Sequence, residues 1–356
     1  MKGVVFNGHS QLTLVDLPDP RPGPDEVVLT MKASGMCGSD LKFYRAAPGA
    51  ALAALGFKSM AELGLDEETG VIAGHEPVGV IAELGANVDK QQWRVGDRVM
   101  VYHYDGCHSC DFCRTGWTQM CDHGAFIYGA TRHGGHADYM VAPASTLIHL
   151  PEELSYSTGA AISCGTGTAY GALVRLGLTA RDTLAVVGLG PVGLAAVQLA
   201  SAMGVRVIGV DLSPERAQRA RDFGAAEAVD TSQDDAVDAI MRFTGGRGVN
   251  CSLDASGSPH GRAAAIRGAG KWGRAALVGE GGDLTVEVSR DIIRKQLTIL
   301  GSYTFSNVGM ADCTRFIADH GIDVDRIFTD RWRLTDAAQA YIEFDKQAGG
   351  KGVFEF

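Results

Sequence analysis

The amino-acid sequence predicts an α/β protein in which a β-rich, partly barrel-like domain is combined with a domain built on a doubly wound parallel sheet. Short alternating segments separated by Pro and Gly fill the first 150 residues, whereas apolar strands alternate with helices from about residue 183. The length of 356 residues also exceeds the range in which one hydrophobic core keeps growing, which favours two domains.

The composition is that of an ordinary globular protein, with 46% hydrophobic and 21% charged residues. A net charge of −10 without a basic run disfavours a nucleic-acid or anionic-membrane partner, so we expect neither. The N-terminus lacks an apolar core of signal-peptide length, and no stretch approaches 18 uninterrupted apolar residues. We therefore expect a cytoplasmic enzyme.

The first domain is predicted to be a set of short strands. Strand patterns occur at the start of the chain and around residues 12–17, 26–33, 78–84 and 97–103, and four prolines interrupt the chain between positions 18 and 24. The last six residues, KGVFEF, predict a strand that rejoins this domain. The first domain is thus expected to be split around the second.

The second domain is predicted from alternating strands and helices. The segment TLAVVGL is a continuous apolar strand, and the following segments read as helix, strand and helix. The helix that starts at Pro214 has Ser213 as its N-cap and Gly224 as its stop signal. Such alternation is typical of a parallel, doubly wound sheet.

Residues 188–193, GLGPVG, follow the pattern G-x-G-x-x-G between a predicted strand and a predicted helix. The glycines permit a tight turn, close approach of a pyrophosphate, and close packing of helix on strand. Asp211 ends the next predicted strand, where a carboxylate binds the ribose hydroxyls of NAD and repels the 2′-phosphate of NADP. A loop that binds nothing is the alternative. The positions expected to contact NAD are Gly188, Gly190, Pro191, Val192, Gly193 and Asp211.

Four of the eight cysteines form the pattern C-x2-C-x2-C-x7-C, which predicts a closed structural zinc site. An iron–sulfur cluster typically has its fourth Cys after three residues and before Pro, whereas here it follows after seven and precedes Asp122. Unliganded thiols are a further alternative, and a nucleic-acid-binding zinc ribbon would need a basic face that this segment lacks. The four residues are Cys107, Cys110, Cys113 and Cys121.

Cys37, His75 and Cys164 each lie in a Gly-rich segment that follows or precedes a predicted element. Two thiolates and one imidazole would give a catalytic zinc three protein ligands and one open position. Taken singly, a Cys is more often a small buried hydrophobe, and a His is more often a hydrogen-bonded polar residue. Cys251 and Cys313 have no partner by spacing and are interpreted as structural.

Together these motifs make the sequence similar to the zinc-dependent medium-chain dehydrogenase/reductase superfamily, alcohol or polyol dehydrogenase type. The resemblance covers nearly the whole chain and rests on CGSD at 37–40, GHE at 74–76, GDRV at 96–99, the four-Cys segment and the dinucleotide loop. It implies a GroES-like catalytic domain, residues 1–155 and 300–356, carrying both zinc sites. Residues 156–299 would form an NAD-binding Rossmann domain.

The resemblance also implies roles for single residues. Cys37, His75 and Cys164 match the ligands of a catalytic zinc. Glu76 matches a mobile carboxylate that can approach the zinc, Asp40 would bond the free nitrogen of His75, and Ser39 would take the proton of the substrate hydroxyl. Arg216 stands where a basic residue commonly contacts the adenosine ribose.

Three departures from the family pattern concern the substrate region. Lys42 replaces the His that ends the proton relay of liver-type relatives. The 37 residues between Cys37 and His75 exceed the usual spacing, and the excess near residues 46–70 predicts a helix that shapes the pocket or an oligomer contact. The histidines considered beside the four-Cys segment are His103, His108, His133 and His136. Polar substrate contacts are expected from Lys42, Tyr44 and His103.

These features predict an NAD-dependent enzyme with two zinc ions per chain that oxidises a secondary alcohol or polyol to a ketone or aldehyde. Oxidation of a threonine-type amino alcohol is a variant. A zinc-free quinone or enoyl reductase and a non-enzymatic nucleotide-binding protein share the fold, but neither requires the ligand residues present here. The resemblance further implies a homodimer or homotetramer joined through the nucleotide domains.

Overall fold

A computed structural model describes residues 1–47, 49–65 and 70–356, and the chain divides into two compact units. The first unit comprises Met1–Cys164, Ser306–Ala318 and Asp323–Phe356. The second comprises Gly165–Phe305 and Asp319–Ile322. In the part of the chain that the structure describes, no helix combines the length and apolar character needed to cross a membrane.

Strands are numbered in chain order. They are β1 (Lys2–Gly8), β2 (Gln11–Asp16), β3 (Glu26–Gly35), β4 (Glu76–Leu84), β5 (Arg98–Val101), β6 (Tyr104–Asp105), β7 (Phe126–Ile127), β8 (Tyr139–Pro143), β9 (Leu147–His149), β10 (Thr183–Val187), β11 (Arg206–Asp211), β12 (Glu227–Asp230), β13 (Val249–Asp254), β14 (Ala269–Leu277), β15 (Thr298–Gly301), β16 (Phe328–Trp332) and β17 (Lys351–Glu355).

The α-helices follow the same scheme. They are α1 (Asp40–Arg45), α2 (Ala50–Ala54), α3 (Asp111–Arg114), α4 (Tyr156–Ala161), α5 (Gly167–Leu176), α6 (Pro191–Ala202), α7 (Pro214–Asp222), α8 (Ala236–Phe243), α9 (Pro259–Gly268), α10 (Asn307–Asp319) and α11 (Ala337–Asp345). A π-helical turn, Ile162–Thr166, joins α4 to α5.

The first unit is built on a sheet with the strand order β16-β17-β3-β4-β5-β9, in which β8 also pairs with β3. The long strand β3 pairs with β4 in antiparallel fashion, and its apolar residues alternate into a core shared with Trp93 and Tyr128. At its other edge β3 pairs with β17, with Gly35 opposite Val353. This pairing confirms that the last strand rejoins the first unit.

The second unit is a six-stranded parallel sheet with the order β12-β11-β10-β13-β14-β15. Strand β10 carries only apolar residues after Thr183 and is buried from Leu184 to Val187, as expected for a central strand covered on both faces. Helix α7 begins as predicted, because the Ser213 side chain accepts a hydrogen bond from the Arg216 amide. The predicted combination of a β-rich unit and a doubly wound parallel sheet is confirmed.

Within its described residues, the segment near 46–70 contains less helix than the sequence suggested. It holds the five-residue helix α2 and a 3-10 turn, Ala61–Leu63. Residues 48 and 66–69 lie outside the described part of the chain. The prediction that this segment shapes the pocket or an oligomer contact therefore stays a prediction.

Candidate active site

Three separate elements of the first unit carry the candidate zinc ligands to one place. Cys37 follows β3 and His75 precedes β4, and these strands are antiparallel neighbours with Gly35 opposite Glu76. The end of one strand therefore meets the start of the other. Cys164 lies in the π-helical turn after α4. Such wide turns are common at functional sites because they re-aim single side chains.

The structure brings these ligand atoms together. One ligand atom from each of Cys37, His75, Glu76 and Cys164 lies within 4.8 Å of the others, and the two sulfurs are 3.9 Å apart. Zinc–sulfur bonds of about 2.3 Å in a tetrahedron place two sulfurs about 3.8 Å apart. The spacing and the donor set of two sulfurs, one imidazole nitrogen and a nearby carboxylate fit Zn²⁺.

Hydrogen bonds orient the imidazole of His75. Its Nδ1 lies 2.7 Å from Asp40 Oδ1 and donates to that carboxylate, while Nε2 lies 3.3 Å from Ser39 Oγ. Nε2 is thus the nitrogen available to a metal. Burial lowers the pKa of His75, but the Asp40 carboxylate and the Cys37 sulfur together raise it well above its usual value. The predicted contact between Asp40 and His75 is present in the structure.

The two thiols of the cluster lie within hydrogen-bond distance, with their sulfurs 3.9 Å apart. The thiol proton between the sulfurs lowers the pKa of Cys37 well below its usual value and raises that of Cys164 well above it. A metal that binds both sulfurs must displace this proton, since zinc ligands are thiolates.

Glu76 is fully buried beside the ligand cluster and forms an ion pair that sequence reasoning missed. The Lys351 ammonium donates to Glu76 Oε1 at 2.7 Å and to the Met36 carbonyl at 3.0 Å, and it lies 2.6 Å from Oε2. Burial raises the pKa of Glu76, and the Lys351 ammonium opposes this rise. A Cβ on Gly35 would lie 1.8 Å from Glu76 Oε2, so the glycine leaves room for the carboxylate.

The three predicted substrate contacts lie in different environments. His103 is buried, its ring centroid is 5.2 Å from that of His75, and its Nδ1 donates to the Ser163 carbonyl. Burial lowers the pKa of His103 to about 3, so the ring is neutral. Tyr44 instead packs in an aromatic cluster of the core, and Lys42 is exposed on α1.

The other histidines close in sequence to the four-Cys segment make unrelated contacts. His108 bonds Asp105 at 2.7 Å, and His133 accepts a hydrogen bond from the Ile72 amide. His136 is fully buried and bonds Ser34. Proximity in sequence therefore does not produce a histidine cluster in space.

The four-Cys segment forms a second cluster in the same unit, with the ligand atoms within 4.8 Å of one another. Backbone amides donate to the sulfurs, as from Cys110 to Cys107 at 3.3 Å and from His123 to Cys121 at 3.4 Å. Hydrogen bonds from Ser109 lower the pKa of Cys107 to about 5, which favours the thiolate. Four sulfurs at this spacing fit a zinc shell closed to substrate.

In the second unit, the G-x-G-x-x-G loop joins β10 to α6. Gly188 has a φ of +89°, and Gly190 is the N-cap of α6 with open space around its missing Cβ. Asp211 accepts hydrogen bonds from the amides of Leu189 at 2.6 Å and Ser213 at 3.0 Å. The loop thus offers an open helix N-terminus beside a fixed carboxylate, which fits a dinucleotide.

Arg216 lies in the first turn of α7, and its Nη1 is 4.0 Å from Asp211 Oδ1. This places the predicted basic residue beside the predicted ribose-binding carboxylate. The two predicted nucleotide residues outside the loop are therefore neighbours in the structure.

Comparisons with known proteins agree with this arrangement. A family model described as "Alcohol dehydrogenase GroES-like domain" matches residues 23–152, and one described as "Zinc-binding dehydrogenase" matches residues 191–319. The chain is 37% identical to YphC of Escherichia coli, an uncharacterized zinc-type alcohol dehydrogenase-like protein, over 100% of this chain and 99% of that protein. It is 30% identical to the D-arabitol-phosphate dehydrogenase of Enterococcus avium, over 99% and 96% of the two chains.

A similar solved structure is an alcohol dehydrogenase from Escherichia coli CFT073 in complex with NADH. It superposes with a TM-score of 0.86 at 25% identity, covering 100% of this chain and 99% of that one. The full-length relatives and the two matching family models agree with the zinc-type ligand cluster and the dinucleotide loop. The chain therefore belongs to the zinc-dependent medium-chain dehydrogenase/reductase superfamily and is an oxidoreductase of its alcohol dehydrogenase type.

Proposed function

We propose that this enzyme oxidises a polyol or another secondary alcohol to the ketone or aldehyde with NAD as hydride acceptor. The observation that carries the proposal is the buried cluster of Cys37, His75 and Cys164 with the Ser39 hydroxyl beside it. These three residues would hold a catalytic zinc, and the four-Cys segment would hold a structural one. Two zinc ions per chain are part of the proposal.

When bound, zinc supplies a Lewis acid that makes the substrate hydroxyl more acidic, and NAD supplies the acceptor for the hydride. Ser39 would accept the hydroxyl proton and pass its own hydroxyl proton to water, because its Oγ lies on the Nε2 side of His75, where the metal would bind. Asp40 holds His75 in the tautomer that leaves Nε2 free for the metal. Glu76 would approach the metal during ligand exchange, and Lys351 holds it in place otherwise.

The preference for NAD over NADP rests on Asp211. Two backbone amides hold its carboxylate beside the loop, where it would accept hydrogen bonds from both ribose hydroxyls. The same negative charge would repel a 2′-phosphate. Gly188, Gly190, Pro191, Val192 and Gly193 would contact the pyrophosphate, and Arg216 would contact the adenosine ribose.

A hydroxylated substrate is supported by His103. Since its Nδ1 donates to the Ser163 carbonyl, the Nε2 of the neutral ring carries a lone pair that suits a substrate hydroxyl. The D-arabitol-phosphate dehydrogenase relative also supports a polyol or a polyol phosphate. Lys42 and Tyr44 stay predictions as substrate contacts, as do the cytoplasmic location and the homodimer or homotetramer.

The test is NADH formation across simple secondary alcohols, polyols, polyol phosphates and L-threonine, with NAD or NADP. We expect NAD-dependent oxidation of one polyol class that a chelator abolishes and zinc restores. Ser39→Ala should lower kcat about 100-fold while the zinc content stays unchanged. Activity on L-threonine alone would favour the amino-alcohol alternative, and chelator-resistant reduction of a quinone or enone would contradict the proposal.

A further inference from the structure

A chain of buried hydrogen bonds continues from Asp40 away from His75. Asp40 Oδ2 accepts a hydrogen bond from the Cys37 amide at 2.8 Å and one from the Tyr341 hydroxyl at 3.4 Å. The Tyr341 oxygen lies 2.9 Å from His136 Nε2, and His136 Nδ1 lies 2.8 Å from Ser34 Oγ. Ser34, His136 and Tyr341 are completely buried, and Asp40 is 2% exposed.

The direction of each hydrogen bond in this chain follows from the two ends. Tyr341 has a single hydroxyl proton, and it uses this proton to donate to Asp40 Oδ2. The Tyr341 oxygen then accepts from His136 Nε2–H, which leaves His136 Nδ1 to accept from the Ser34 hydroxyl. This arrangement requires a neutral His136, and burial does lower the pKa of His136 to about 4.

We propose that Tyr341 and His136 are positioning residues of the catalytic zinc site. Tyr341 fixes the Asp40 carboxylate, His136 fixes the Tyr341 hydroxyl, and the oriented carboxylate keeps the Nδ1 proton on His75. The inference rests on the proposed function in that Cys37, His75 and Cys164 must hold zinc. It adds two residues that act through Asp40 and touch neither metal nor substrate.

The surrounding packing holds both side chains in one orientation. The Tyr341 ring lies 4.9 Å from the ring of Phe6 and 5.3 Å from that of Tyr44, and the His136 ring lies 4.7 Å from Phe354. A Cβ on Gly74, which has a φ of +91°, would come within 2.3 Å of His136 Nδ1. A side chain at position 74, directly before His75, would therefore collide with the His136 ring.

The experiment measures zinc release from the purified holoenzyme to a chromophoric chelator. Zinc should leave the two sites in two kinetic phases. The phase that is missing in the Cys164→Ala variant belongs to the catalytic site, because the four-Cys site keeps all its ligands in that variant. Tyr341→Phe removes one oxygen and should weaken zinc binding in that phase about tenfold, toward the effect of Asp40→Ala. In the Asp40→Ala background, Tyr341→Phe should have no further effect, since both changes act on one contact.

Tyr102→Phe is the matched control. Tyr102 is 1% exposed and its hydroxyl donates to Gln119 at 2.6 Å, so the variant also loses a buried tyrosine hydroxyl together with its hydrogen bond to Gln119. It should leave the catalytic phase within twofold of the unmodified enzyme. His136→Gln keeps an N–H donor near the position of Nε2 and should bind zinc more tightly than His136→Leu, which has no donor.

Two results would overturn the inference and leave the proposed function standing. One is that zinc leaves the catalytic site of Tyr341→Phe as slowly as it leaves that of the unmodified enzyme, while it leaves that of Asp40→Ala faster. The other is an effect of Tyr341→Phe that persists in the Asp40→Ala background, as a packing defect would. If Cys164→Ala loses no phase at all, the zinc assignment is wrong, and the proposed function falls with the inference.

Discussion

The buried charge of Lys351 has a direct effect on the stability of the protein. It is 1% exposed and pairs with the fully buried Glu76, so two charges are held away from water. Such pairs add little net stability compared with apolar residues of the same volume, but removing one partner leaves an uncompensated charge. The presence of this pair beside the ligand cluster is therefore explained by a need for the Glu76 carboxylate rather than by stability.

Lys351→Met should cost about 3–5 kcal/mol of unfolding free energy, because Glu76 then stays buried without a counter-charge. Urea unfolding of the zinc-loaded enzyme measures this loss. The double variant Glu76→Gln/Lys351→Met should recover most of it. Lys346→Met is the matched control, since Lys346 makes an exposed ion pair with Glu343 and its loss should matter much less. Equal losses at both lysines would contradict the argument.

The turn from β10 into α6 contains two glycines with different roles. One is required by the fold of the turn, and the other leaves open space. A Cβ on Gly193 would lie 1.8 Å from the Gly188 carbonyl, so this glycine is required for the fold of the turn. A Cβ on Gly190 would meet no atom within 4 Å, and the residue has a φ of −67°, which any residue adopts. Gly190 is therefore free to be alanine as far as the protein alone is concerned.

Gly190→Ala should keep the thermal midpoint of the enzyme but raise the KM for NAD at least tenfold, because its methyl group would occupy the space that the pyrophosphate needs. Gly193→Ala should lose both NAD binding and thermal stability. Differential scanning fluorimetry with and without NAD, together with initial rates, separates the two outcomes. A Gly190→Ala enzyme with normal KM would show that the loop does not hold the cofactor's phosphates.

Contacts between residues close in sequence could be predicted from the sequence, whereas contacts between distant residues could not. The closeness of Asp211 to the Gly188 loop was predictable, because both lie within one βαβ unit. In such a unit, spacing alone places a carboxylate near a Gly-rich loop. The contacts of Lys351 with Glu76 and of Tyr341 with Asp40 span 275 and 301 positions. No local spacing encodes them, and β17 was predictable as a strand without any indication of which side chain it brings to the site.

The two units of the molecule carry different candidate sites, with the metal-ligand clusters in one unit and the nucleotide loop in the other. Both ligand clusters lie entirely in the first unit, and the loop with Asp211 lies in the second. Loss of either metal site should therefore leave the loop itself intact. The four-Cys cluster closes a loop that contains the four-residue helix α3 and a 3-10 turn, Thr118–Met120, so its metal would supply order that packing does not.

Metal analysis should find two zinc ions per chain in the purified enzyme. Cys164→Ala and Cys113→Ser should each retain one, because each removes a ligand from a different cluster. Cys113→Ser should lower the thermal midpoint more, whereas Cys164→Ala should abolish turnover with a smaller thermal effect. NAD binding, followed by quenching of tryptophan fluorescence, should survive in Cys164→Ala. A zinc content of one in the unmodified enzyme would contradict the two-site proposal.

The pairing of Glu76 with an amine from β17 has a consequence for biosynthesis. Cys164, the last of the three ligands to be made, leaves the ribosome about 190 residues before Lys351 does. At 5–20 residues per second this delay is about 10 to 40 s. During that interval a nascent chain can present all three ligands together with a carboxylate that lacks its counter-charge. Metal captured this early would meet a more negative site than the finished one, which is complete only after β17 has been made and paired with β3.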